Sequence, residues 1–114
     1  MIDPPYLYGY LPGEREDSAA FWCHRDHREA PYLLVLVADG RIVSTLAWNM
    51  YPGGLSLHDS ARVALSDFTY ADDPGKARGP NGKLTEFPPL HSEYDGIITL
   101  FYRFGDRWLY RVLH

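Results

Sequence analysis

One cysteine, two lysines and no long apolar run are the scarcities of this 114-residue chain, and each closes off a class of function. A single thiol, Cys23, cannot form an internal disulfide, which excludes a secreted disulfide framework. The paired Cys/His spacings of a self-contained zinc motif are missing as well. Both lysines, Lys76 and Lys83, lie between residues 74 and 84, and the net charge is −4. Nucleic-acid affinity comes largely from clustered Lys and Arg, so no nucleic-acid partner is expected. The acidity is too modest for a protein that mimics a nucleic acid.

No segment approaches the roughly 20 apolar residues that cross a bilayer. The first ten residues, MIDPPYLYGY, show neither the basic region nor the apolar run of a secretion signal. A cytoplasmic chain with no membrane partner is the expectation. No serine sits in a Gly-x-Ser-x-Gly elbow. Residues 77–84, ARGPNGKL, depart from a phosphate loop at both ends, with Ala77 for the first glycine and Leu84 for the hydroxyl residue.

What the chain does have is aromatic side chains. Nine Tyr, five Phe and three Trp make up 15% of it, and such residues suit pleated, half-buried surfaces. The run Tyr32-Leu-Leu-Val-Leu-Val37, then Asp39-Gly40, then Arg41–Trp48 carries a hairpin signal, because Asp-Gly tolerates the positive φ of a tight turn. Centring the turn there pairs Val37 with Ile42, Val35 with Ser44 and Leu33 with Leu46. Both faces are mainly apolar, which predicts a hairpin central in the sheet and covered on both sides. Residues 97–114 repeat the device around Gly105-Asp106, setting Arg103 opposite Trp108, Phe101 opposite Tyr110, Tyr102 opposite Leu109 and Ile98 opposite Leu113.

Two segments read either way. Residues 14–30 fit a helix from Asp17 or Ser18, or a strand through Ala20–His24. The second half, HRDHREA, lacks the apolar stripe of a helix, which favours the strand. Residues 55–70 fit a helix capped by Ser56 or strands around 62–70, and the strands are favoured. Residues 71–95, rich in Pro, Gly and Asp, are expected to form one long surface loop. The chain thus reads as a single domain, 1–114, of β-rich class (all-β or α+β). A mainly antiparallel curled sheet or small barrel is built on hairpins 32–48 and 97–114, with at most one or two short helices.

Two clusters carry metal-ligating residue types. In FWCHRDHREAP, residues 21–31, Cys23 and His27 share a face only on a helix; on a strand the ligands diverge. In His91-Ser-Glu-Tyr-Asp95 an extended backbone aligns His91, Glu93 and Asp95 on one side. A buried thiol beside solvated histidines, and an acidic loop ending in an Asp95-Gly96 turn, are the plainer accounts of the same residues. A metal-dependent or histidine-based small enzyme using these groups and His58 is the alternative function. No cofactor is indicated.

The leading expectation is a small binding or interaction domain with an aromatic-rich groove or interface, taking a small molecule or a protein partner and self-associating as a homodimer. Tyr6, Tyr8 and Tyr10 alternate in YLYGY, and Arg103 faces Trp108 in the second hairpin. With Trp48 and Tyr110 these seven are the candidate ligand- or partner-binding residues, since Tyr and Trp give large, rigid contact area at low entropic cost.

Overall fold

A computed structural model describes residues 7–8, 18–26, 29–38, 40–49, 53–72 and 77–113. Among the described residues nine strands form two antiparallel sheets. The first has the order β1-β2-β3-β4, with β1 at Leu7–Tyr8, β2 at Ala19–His24, β3 at Tyr32–Ala38 and β4 at Arg41–Trp48. The second has the order β5-β7-β8-β9-β6, with β5 at Gly54–Leu57, β6 at Thr69–Tyr70, β7 at Leu90–Tyr94, β8 at Ile97–Phe104 and β9 at Arg107–Leu113. The only helical element among the described residues is a 3-10 turn at Leu65–Asp67. The sheets do not close into a barrel, so the curled-sheet form of the expectation holds.

Residues 20–24 are strand, as the missing apolar stripe implied. The 55–70 segment is neither of its two readings in full. Gly54–Leu57 is a strand, Leu65–Asp67 is the 3-10 turn, and Thr69–Tyr70 pairs with β9. Of the loop expected over 71–95, residues 90–94 are instead a strand paired with both β5 and β8, and Thr85 and Pro89 are buried. The Asp95-Gly96 turn joins β7 to β8 with both residues at positive φ, 52° and 80°, the backbone of a type I′ hairpin.

Register in the second hairpin is as expected at all four pairs. In the first it is expected correctly only next to the turn. Val37 pairs with Ile42 but Leu36 pairs with Ser44, so Val43 is an extra residue in β4. Beyond this bulge Val35 pairs with Thr45 and Leu33 with Ala47, in place of Ser44 and Leu46. A one-residue slip exchanges the faces of a strand. Here it turns Ser44, Leu46 and Trp48 to the side occupied by Leu34 and Leu36. Nor is the whole hairpin central: β3 lies between two strands, while β4 is an edge, with Ile42 67% exposed.

Between the sheets, Ala20, Trp22, Leu34 and Leu36 of the first pack with Leu90, Phe101 and Trp108 of the second. Phe101 meets Trp22 and Trp48 edge-on, at ring centroid distances of 5.6 and 5.0 Å. The Trp108 indole N–H donates to Ser44 Oγ across the interface at 2.9 Å, a bond that the bulge makes available. On the other face of the second sheet, Leu65 and Phe68 pack over Leu100, Tyr102 and Leu109, with Val63 and Phe87 at the margin. The molecule therefore has three layers: a sheet, a second sheet, and a folded chain segment that covers it.

Candidate functional site

The third layer forms one wall of a concavity. Its chain is held extended without long strands. Leu65 N–H donates to Lys83 C=O at 2.9 Å, Thr85 N–H to Val63 C=O at 2.8 Å, and Ala64 and Leu84 form a bridge. Thr85, 1% exposed, locks the two segments from its side chain: its hydroxyl donates to Ala61 C=O at 2.6 Å and accepts from Val63 N–H at 2.9 Å. Gly79 lies so close to Leu65 that a Cβ there would overlap the Leu65 carbonyl.

Between this layer and the end of β8 runs a cleft of about 750 Å³. Phe87, Tyr102 and Phe104 give it aromatic walls, and Arg62 and Lys83 give it cations against one carboxylate, Glu86. The Phe87 and Tyr102 rings are 4.8 Å apart at their centroids and tilted by 32°. Glu86 N–H donates to the Tyr102 hydroxyl at 3.0 Å, which fixes that ring from the loop side. Among the described residues neither the Arg62 guanidinium nor the Lys83 ammonium is ion-paired, and both are exposed at the rim. A volume of this size, with rings and a few convergent polar groups, is the usual anatomy of a small-molecule site.

The aromatic candidates read from the sequence lie mostly elsewhere. Trp108 is buried between the sheets, and Trp48 and Tyr110 pack at the margin of that core, 5.0 Å apart and edge-on. Arg103 pairs with Trp108 and shares its face of the second sheet, on the side of Phe101, so that only its stretch of β8 borders the cleft. Tyr8 pairs with Ala19 in β1. Tyr6, Tyr10 and His27 lie outside the described residues.

The metal candidates are divided between the two sheets. Cys23 is a free, half-buried thiol on β2, while His24, next to it, points to the other face and stacks near Tyr32 at 5.3 Å. In the second sheet His91 and Glu93 do share a side, with Nε2 and Oε1 3.5 Å apart, but Asp95 has left the strand for the turn. The structure adds a partner that spacing in the sequence did not reveal: the His58 ring stacks on His91 at 6.1 Å, and Asp59 lies 3.6 Å from His58. Among the described residues, no group of three or more His, Cys, Asp or Glu side chains is placed to hold a metal ion. None of the described histidines lines the cleft.

Arg107 and Asp72 form the best-defined ion pair, bidentate at 2.7 and 3.1 Å, with the guanidinium 3.7 Å above the Tyr70 ring. The bond from Arg107 holds the Asp72 carboxyl below its ordinary pKa, and the same bond raises that of Arg107. This pair ties the start of the covering segment to β9 and is structural.

Of the cleft residues, sequence reading had singled out only Arg103. Lys83 was visible as one of two lysines, and Phe87 as an aromatic in a loop, but the segment that brings them together has no periodicity to expose it. Comparison with protein families, curated proteins and solved structures finds no match to this chain.

Proposed function

We propose that the protein is a small-molecule binding domain whose site is the cleft between the 82–87 segment and the end of β8. One observation carries this reading: a cleft of about 750 Å³ is bordered by Phe87, Tyr102 and Phe104, with Arg62 and Lys83 exposed at its rim. The aromatic groove expected from composition is thus assigned to different rings from those of the YLYGY stripe. A cytoplasmic setting suits a chain whose one thiol is free. Titration of the ¹⁵N-labelled protein with indole, benzoate and phenyl phosphate tests the reading. Saturable shifts of the amides of Lys83–Phe87 and Tyr102–Gly105 are expected from at least one probe. Shifts confined to other surfaces, or none with any of the three, overturn it.

Self-association belongs to the same proposal, through β4. This eight-residue edge pairs only with β3 among the described residues. Antiparallel pairing of two copies is two-fold symmetric, so one surface serves both partners. The bulge at Val43 leaves Ser44–Trp48 as the regular stretch for such pairing. Sedimentation equilibrium gives a dimer on this view; a monomer at high protein concentration removes it.

A further inference from the structure

The charge of the cleft is opposite to that of the molecule. The chain has 15 acidic and 11 basic residues, yet the exposed rim of the cleft sets Arg62 and Lys83 against Glu86 alone. Like charges brought to one concavity repel unless something compensates them, and within the described residues Arg62 and Lys83 have no carboxylate partner. The two come from separate stretches of chain, bound together by the Leu65 to Lys83 hydrogen bond and the Ala64–Leu84 bridge. That both line one cleft is a product of the fold, not of a basic run in the sequence. Beside them lies the half-buried Phe87 ring, held against the buried Tyr102 ring, a face that carries no charge.

We infer that the cleft binds a ring-bearing organic anion, a carboxylate or a phosphate monoester, with its anionic group at Arg62 and Lys83 and its ring against Phe87. This rests on the cleft being a ligand site and adds the chemistry of the ligand. Arg62 can meet either anion with a planar pair of N–H groups, and Lys83 supplies a point charge that favours both. A neutral ring compound keeps the stacking and loses the charge contact, so affinity separates the two contributions. Because the rim is open to solvent, the charge contribution falls as salt screens it.

Calorimetric titration of the full chain with benzoate, phenyl phosphate and benzyl alcohol at low salt tests the inference, with amide shifts locating each probe. At least one anion is expected to bind about tenfold more tightly than benzyl alcohol, a difference of about 1.4 kcal/mol. That advantage should fall to about threefold or less in the Arg62→Gln/Lys83→Gln double variant and at high salt. Arg41→Gln, an exposed cation in the first sheet, serves as the control and should leave it unchanged. The relative affinity of the two anions distinguishes phosphate from carboxylate. If benzyl alcohol binds in the cleft as tightly as either anion, the inference fails while the binding site stands. If no probe reaches the cleft, both fail.

Discussion

Replacing Thr85 by Val removes the hydroxyl that joins the two segments of the covering layer while keeping the shape of the side chain. In the folded protein that oxygen accepts from Val63 N–H at 2.9 Å and donates to Ala61 C=O at 2.6 Å, and Thr85 is 1% exposed. Valine satisfies neither group. An orphaned, poorly solvated N–H costs about 1–3 kcal/mol, and the Ala61 carbonyl, half-buried, loses less. Together the loss should be about 2–3 kcal/mol, or a Tm lower by about 8–12 °C at this chain length. Thr85→Ser retains both bonds and deletes one methyl, for a loss of about 1 kcal/mol. Urea unfolding followed by tryptophan fluorescence measures both variants. A Thr85→Val protein within about 0.5 kcal/mol of the parent would refute the claim that this hydroxyl holds the cleft wall.

Other positions test other layers. Gly79→Ala forces a methyl against the Leu65 carbonyl, so an overpacking loss of about 1–3 kcal/mol or more is expected in the same unfolding assay, despite the normal φ at that residue. Ser44→Ala strands the Trp108 indole N–H between the sheets and should lower stability by about 1–3 kcal/mol; an unchanged midpoint would mean the bond is dispensable. The lowered pKa of Asp72 fixes a sign for pH. A carboxyl depressed in the folded state stabilises above its unfolded pKa of about 3.9 and loses that contribution as pH falls through the folded value. Asp72→Asn should therefore be less stable than the parent at neutral pH, and the gap should close in strong acid; a gap constant across that range would contradict the pairing.

The parts legible in the sequence are those set by short-range chemistry. Gly105-Asp106 between alternating aromatic and aliphatic residues determined both the turn and the register of β8 and β9, because nothing interrupts the period-two pattern there. The same logic placed Asp39-Gly40 but missed the bulge at Val43, since an extra residue in an all-apolar strand leaves no polar mark of the phase change. β7 was hidden because its outward positions, His91 and Glu93, resemble a loop, although Leu90 and Ser92 are buried. The cleft depends on the folded-back segment 58–89, whose pairings are single bridges and side-chain bonds between residues about twenty apart. No local propensity encodes such contacts. Tryptophan and tyrosine content suggested a recognition surface, yet Trp108 and Trp22 are used chiefly to fill the core between the sheets.

The arrangement separates two roles that composition alone confuses. Aromatic rings between the sheets build the scaffold, while the rings at the end of β8, with cations above them, make the concavity. Intermolecular nuclear Overhauser effects between the ring protons of bound phenyl phosphate and the protein test that separation most directly. The account predicts contacts to the Phe87 ring. Contacts instead to Phe21, Leu33 or Val37, on the outward face of the first sheet, would contradict it.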